Sequence, residues 1–325
     1  MVFMALTAVL LCSCSLLKRE IRVDAMDTFM SFEYYGDEAV GGRLKKSVRE
    51  LDSLLSVTKR KSEIFSLNKS GSKRVSADTL DLTGQAKALC VELSGFLDVT
   101  ILPVVECWGF IDQRYKVPSK KEIRSALKSV AFNNIELSGS RITLKNGSRL
   151  DLGAVAKGYA ADKGVGLLKD SGVKSAILNY GGTVAAVGSK PDGTLWKIGI
   201  ADPDNPSGYV GFVSCKDKIV ATSGGYERYF EKNSRRYIHI LDPKTGFPVD
   251  NEISSVSVVS DSGVRSDALS TALFVMGREK ALEYQLKKSD FGLIVLTKDK
   301  KVCVSPDLRD SFTLTSGDYT LTGEQ

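Results

Sequence analysis

The stretch from Arg149 to Gly172, RLDLGAVAKGYAADKGVGLLKDSG, constrains the chain most. It reads as the end of a strand, a tight turn bearing Gly153, and a helix that opens on small residues. Asp151 falls where an N-cap would, and Gly153, Ala154 and Ala156 keep bulk away from the turn. Backbone N–H groups and the positive end of the helix dipole can then face an anion. Lys157 adds a mobile positive charge one turn further in. The spacing is neither the Gly-x4-Gly-Lys-Ser/Thr phosphate loop nor the Gly-x-Gly-x-x-Gly dinucleotide turn. Plain strand-to-helix punctuation produces turns of this kind too, so the stretch alone leaves an anion site and a structural turn both open.

Residues 2–16, VFMALTAVLLCSCSL, form the only long apolar run. It is short for a bilayer span and stands where the apolar part of an export signal belongs. Within it, Leu11-Cys12-Ser13-Cys14 has the form of a bacterial lipobox, with Cys14 as the residue to be lipidated. No Lys or Arg precedes the run, whereas Lys18, Arg19 and Arg22 follow it, and an N-terminal core helix is the alternative. The expected division is residues 1–22 as signal and anchor region and 23–325 as one domain. The net charge of +6, from 45 basic and 39 acidic residues, is spread along the chain. That suits an anionic small ligand or an acidic membrane surface and is too diffuse for nucleic acid. Cys90, Cys107, Cys215 and Cys303 are widely and irregularly spaced, which argues against a zinc site or redox pair and for buried thiols.

Taken in order, residues 23–35 alternate as a strand and 38–55 carry apolar residues at helical spacing. Residues 56–68 read as a surface loop and 79–95 as a second helix. Leu97-Asp98-Val99 leads to Pro103, and a peripheral region with a helix start at Pro118-Ser119 follows. Residues 135–152 predict a hairpin turning at Asn146-Gly147. Strand patterns recur at 175–179, 184–188, 195–201, 209–214, 218–223 and 254–260. His239, the only histidine, stands in an apolar strand just before a Pro-Gly turn. It suits either a structural role or a base that titrates near neutrality. Asp267 and Thr271, four apart where a helix begins, share one face and offer two oxygens to one point. Helices and strands mixed throughout, with no clean linker, predict one interwoven α+β domain.

Six separated motifs then match one family in order: LDVTILPVVECWGF (97–110), DLGAVAKGYAAD (151–162), Asn-x-Gly-Gly (179–182), SGGYERYF (223–230), HILDPKTGFPV (239–249) and SDALSTALF (266–274). Together they resemble the ApbE family of FAD:protein FMN transferases over about residues 23–290. The resemblance implies an α+β unit with a T-fold-like core that takes FAD as substrate and Mg²⁺ as cofactor. It implies an FAD site lined by Met26, Thr58, Leu97, Asp98, Val99, Asp151, Lys157, Ile240 and Leu241. Mg²⁺ would be held by the Ala154 carbonyl, Asp267 and Thr271, a hard-oxygen set suited to that ion. His239 would be the catalytic base.

The reaction so implied moves FMN from FAD to a Ser or Thr hydroxyl of an exported protein and releases AMP. Acceptors would be flavoprotein subunits of respiratory ion-pumping complexes, modified at a Ser/Thr-Gly-Ala-Ser/Thr segment. The enzyme would sit on the periplasmic face of the cytoplasmic membrane, held by its lipid anchor. Thr58 stands in Ser56-Val57-Thr58 where transferring members carry Tyr on the flavin. Hydrolysis of FAD to FMN and AMP, with water as nucleophile, is therefore the alternative activity. A flavin-binding lipoprotein without turnover is the alternative of another class.

Overall fold

In the computed structural model, which describes residues 17–322, the segment expected as one strand over 23–35 belongs to a hairpin. Strands β1 (Lys18–Ala25) and β2 (Thr28–Tyr35) pair antiparallel, from Lys18 opposite Tyr35 to Ala25 opposite Thr28. Met26 and Asp27 form the two-residue turn, both left-handed at φ 52° and 57°. Such turns usually carry Asn or Gly, so Met-Asp gives no turn signal in the sequence. The boundary expected between residues 22 and 23 therefore falls inside β1, and Cys14 lies outside the described residues.

Helix α1 (Glu38–Leu55) starts at Asp37, whose Oδ1 accepts the Ala39 N–H at 2.7 Å, and buries Val40, Leu44, Val48, Leu51 and Leu55 as its spacing predicts. The loop expected through Asn68 instead contains α2 (Glu63–Ser70). Ser62 caps it by accepting the Phe65 N–H, and Ile64 and Leu67 are fully buried. Two apolar residues are too few for a periodic signal. Next come β3 (Ser72–Arg74), α3 (Ala77–Glu92), α4 (Leu102–Trp108) and α5 (Lys120–Leu127), the last opened by a Ser119–Glu122 capping box. Strands β4 (Ile135–Ser138) and β5 (Arg141–Leu144) make the expected hairpin but turn at Gly139-Ser140, whereas Asn146-Gly147 forms a left-handed turn after it.

The chain continues through α6 (Ala156–Asp170), β6 (Ala176–Asn179), β7 (Thr183–Val187), β8 (Trp196–Asp202), β9 (Asn205–Cys215) and β10 (Lys218–Gly224). Then follow β11 (Tyr229–Lys232), β12 (Arg235–Ile238), β13 (Ile253–Ser260), α7 (Gly263–Met276), α8 (Arg278–Lys288), β14 (Gly292–Thr297), β15 (Lys301–Val304), β16 (Phe312–Leu314) and β17 (Thr320–Thr322). Among the described residues the main sheet runs β1-β2-β6-β7-β10-β13-β14-β15-β17, antiparallel except between β15 and β17. Successive side chains take opposite faces. Leu293 and Val295 of β14 join Phe32, Leu178 and Val256 in the core that contains the helices, while Ile294 and Leu296 join Trp196 and Val213 against the small sheet β16-β9-β8. Both faces of β14 are thus covered, which accounts for its unbroken apolar run. The arrangement is α+β, as expected.

Ten of the 14 residues of α7 are buried, and α6 crosses it at van der Waals limit. A Cβ on Gly158 would lie 2.0 Å from the Gly263 carbonyl oxygen. Each helix also closes the other's N-terminus. Asp162 of α6 accepts the N–H groups of Gly263 at 2.6 Å and Val264 at 3.0 Å, and Asp267 of α7 accepts that of Gly158 at 2.9 Å. A carboxylate is favoured at each of these positive helix ends. Asp151 is therefore not the cap of α6. The N-cap position is Val155, which makes no side-chain cap bond, and α7 supplies the carboxylate instead. Because α7 begins after Ser262, Asp267 lies in its second turn rather than at its start.

Gly158→Ala should push the helices apart at a cost of about 1–3 kcal/mol or more. Gly166→Ala on the same helix, where a Cβ meets open space, should stabilise by at most ~1 kcal/mol. Urea unfolding of the two variants checks the contrast.

Candidate active site

A cleft of about 670 Å³ collects all thirteen side chains or backbone segments expected at the site within the described residues. Met26 reaches it from the β1–β2 turn and Thr58 from the segment after α1. Residues 97–99 and 151–157 line it from the loops before α4 and α6. Residues 239–241 follow β12, and Asp267 and Thr271 come from one face of α7. Its lining divides by chemistry. Phe96, Leu97, Val99, Val105 and Phe110 offer apolar surface, and Lys157, Glu227, Arg228, Asp267 and Thr271 offer charge and hydroxyl. Such a lining suits a ligand with both a flat apolar part and an anionic part.

Asp98 lines the cleft, but its carboxylate serves the fold. Oδ1 accepts the Thr100 N–H at 2.8 Å and the Thr100 hydroxyl at 2.6 Å, and Oδ2 accepts the Phe132 N–H at 3.0 Å. Burial raises its pKa against those bonds. The neighbouring carbonyl of Val99 accepts the Asp151 N–H at 2.8 Å, which brings the two cleft-lining segments together. Asp151 in turn accepts the Gly153 N–H at 2.9 Å, and burial raises its pKa as well. The turn is thus held from inside, by an Asx-type bond rather than a helix cap.

At the other wall, Lys157 Nζ donates to the Gly181 carbonyl at 2.9 Å, so the paired glycines after β6 present backbone to the lysine. Asp267 is buried, and the loss of solvent raises its carboxyl above the usual range, with Lys157 opposing. Its bond to Gly158 diverts an N–H that a regular helix would give to the Ala154 carbonyl, and among the described residues no backbone donor reaches that carbonyl. Thr271 Oγ1 lies 3.1 Å from Ser223 Oγ, which also meets Ser270 Oγ at 2.8 Å. A buried carboxylate, an unclaimed carbonyl and a hydroxyl on one cleft form a hard-oxygen donor set, and the residues present fit Mg²⁺. No cluster of three His, Cys, Asp or Glu side chains occurs among the described residues, so any such site depends on backbone and hydroxyl oxygens.

His239 lies one residue beyond β12 rather than inside a strand. Its N–H and its Nδ1 both meet the Arg228 carbonyl at 3.0 Å. A carbonyl only accepts, so Nδ1 carries the proton and Nε2 keeps a free lone pair. Burial, with Arg228 and Lys157 nearby, holds the imidazole down at about 4, well below the ordinary histidine value. The ring is neutral at physiological pH. An aromatic cluster supports it: Trp108, Phe110, Tyr115, Phe230 and Tyr237 pack at centroid distances of 5.1–6.5 Å, and Trp108 Nε1 donates to the Gly246 carbonyl at 2.8 Å.

Glu227 is a cleft residue that spacing alone does not single out. It is open to the cleft yet enclosed by protein, and that desolvation raises its carboxyl, with Lys157 opposing and Asp267 adding to the rise. Its only sequence signal is a lone acid in the Gly-Gly-Tyr-Glu-Arg turn, which reads equally as solvent-facing.

The family model described as "ApbE family" matches residues 26–294. The chain belongs to the ApbE family. An FAD:protein FMN transferase of Klebsiella pneumoniae (strain 342) is 31% identical over 293 residues, covering 88% of this chain and 91% of that one. The ApbE protein of Thermotoga maritima superposes with a TM-score of 0.85 at 29% identity, covering 91% of this chain and 99% of that one. The apo flavinyl transferase ApbE of Pseudomonas stutzeri gives 0.83 at 27% identity, covering 92% and 98%. The family match spans both helices of the crossing.

Asp98→Ala strands three donors, each worth about 1–3 kcal/mol when buried and unpaired. The variant should unfold at markedly lower urea, and Asp98→Asn, which keeps one acceptor oxygen, should recover part of the loss.

Proposed function

We propose that the protein is an FAD:protein FMN transferase that moves FMN from FAD to a Ser or Thr hydroxyl of an exported acceptor protein and releases AMP. The observation that carries this reading is the meeting in one cleft of a neutral histidine with its Nε2 lone pair free, a lysine, and a hard-oxygen donor set. Ala154 through its carbonyl, Asp267 and Thr271 would hold Mg²⁺. Bound there, the ion would supply Lewis-acid neutralisation of pyrophosphate charge.

The chain's own residues do the rest. The Leu97–Val99 segment, Met26, Asp151, Ile240 and Leu241 shape the FAD site, and Lys157 offsets charge on the pyrophosphate. The acceptor oxygen attacks the phosphorus on the FMN side as the bond from that phosphorus to the AMP oxygen breaks. His239 Nε2 takes the hydroxyl proton, a task for which the neutral imidazole is suited. Cys14 would carry the lipid that holds the enzyme on the periplasmic face of the cytoplasmic membrane, with flavoprotein subunits of respiratory ion-pumping complexes as acceptors. No helix among the described residues is long and apolar enough to cross a membrane.

The test incubates the full chain with FAD, with and without Mg²⁺ and with and without an acceptor peptide, and follows AMP, FMN and peptide mass. Flavinylated peptide and AMP should form together and only with Mg²⁺. FMN and AMP without a modified peptide would overturn transfer in favour of hydrolysis, and no product would leave a binding protein. His239→Ala should lower kcat by ~10²–10⁴ with FAD affinity held. Because the histidine is held down at about 4, the base is lost only as pH falls below the ordinary histidine range. The acid limb of kcat/KM should therefore lie well below ~6.5 and vanish in the variant.

Thr58 is bonded through its Oγ1 to Ser56 Oγ at 3.0 Å and lies at the open side of the cleft, which favours entry of water as a competing nucleophile. Thr58→Tyr should tighten FAD binding by about one order of magnitude through ring stacking and shift products from free FMN toward modified peptide.

A further inference from the structure

Hairpin β11–β12 leaves one edge unused beside the active-site cleft. Asn233 and Ser234 form its two-residue turn at φ 52° and 58°, so the flanking pair Lys232–Arg235 exchanges hydrogen bonds and the pairs then alternate. Tyr237 bonds inward to Phe230, and His239 bonds inward to Arg228. Arg236 and Ile238 therefore point their N–H and C=O groups away from β11, where no strand among the described residues pairs with them. That edge faces a second cavity of about 550 Å³, whose opposite wall is the segment 247–254. Beyond it the two walls close, because Val249 donates to the Ile240 carbonyl at 3.0 Å. Tyr226 lines both this groove and the active-site cleft.

We infer that this groove receives the acceptor protein, an extended segment of which adds as a third strand to β12 and is carried by it to His239. The inference rests on the transferase reading. An edge strand with unclaimed backbone groups is a template for strand addition, and the pockets beside it read alternate side chains. The edge ends at the base, so pairing with Arg236 and Ile238 fixes the register of the segment relative to His239. Charge selects the kind of segment. Between residues 228 and 238 the chain carries Arg228, Lys232, Arg235 and Arg236 against Glu231 alone. On the groove's lining Lys298 stands with Asp204 and Asp250, and Asp250 lies 3.2 Å from Arg235 and 3.5 Å from Lys298, so cations still outnumber acids there. The surroundings favour a segment flanked by acidic residues.

Arg236→Pro removes the outward N–H, which the fold does not use, whereas Arg236→Ala removes the side chain and keeps it. The probe is a fluorescein-labelled peptide with Ser-Gly-Ala-Thr between acidic flanks, assayed on the full chain both for transfer and for binding by anisotropy without FAD. Arg236→Pro should raise the peptide KM and Kd by roughly tenfold or more, with FAD affinity unchanged, and Arg236→Ala should change them far less. A peptide with basic flanks should bind more weakly. Unchanged peptide affinity in the proline variant, or an equal loss of FAD affinity, would overturn the proposal. If Arg236→Pro does not fold, Ser254→Trp fills the groove from the facing wall and must produce the same rise, or the proposal fails. Peptide that binds through β12 but is never flavinylated would sink the transferase reading while leaving the groove assigned. Peptide that is flavinylated with no dependence on β12 would do the reverse.

Discussion

The crossing of α6 and α7 is the contact on which the site depends. Gly158 and Gly263 bring two helix backbones together, and Asp162 and Asp267 are exchanged between the two N-termini. Neither helix end could be buried at this distance without an acceptor for its free N–H groups. The exchange has a consequence for chemistry, since the Gly158 N–H that goes to Asp267 is the one a regular helix would give to Ala154. One packing decision thus fixes a carboxylate, frees a carbonyl beside it and sets the first turn from which Lys157 reaches Gly181. Part of the helix end that the sequence leaves open to an anion is taken by the carboxylate of Asp267.

The same closeness sets the electrostatics. Asp267 and Glu227 lie near Lys157, and desolvation raises both carboxyls while the lysine opposes the rise. Near His239, Arg228 and Lys157 disfavour a second positive charge, and burial acts in the same direction. The cleft without ligand is therefore a place where cations are crowded around a neutral imidazole. Entry of an anion relieves that crowding, and the Arg228 carbonyl keeps the proton on Nδ1, so Nε2 is the nitrogen left to accept one.

Much of this was legible because the local signals agreed with the fold. The α1 spacing, the Ser119 cap, the β10 and β13 patterns and the glycine-bearing turn at 151–157 each appear where the sequence reading places them. What escaped was set by partners far along the chain. Asp151 reads as a cap by position, yet the cap of α6 comes from Asp267 on another helix, and no local pattern encodes that. Asp98 lines the cleft with its segment, but nothing local encodes that its carboxylate is held by Thr100 and Phe132. The Met26-Asp27 turn adopts left-handed geometry without Gly or Asn, so the strand pattern runs through it unbroken. Glu227 became visible only when Lys157 and Asp267 stood beside it.

Two separately packed clusters meet at His239. Ala154, Asp267 and Thr271 hang from the main core between sheet and helices, whereas the loop that holds His239 leans on the aromatic cluster of Trp108, Phe110, Phe230 and Tyr237. Ile240 belongs to the first and Leu241 to the second, side by side in the chain. The peptide between them transmits the position of one cluster to the other, and His239 is the residue just before it. Interiors packed this densely resist small shifts, so the seating of these two adjacent side chains, together with the bonds to the Arg228 carbonyl, holds His239 in place against the hard-oxygen set.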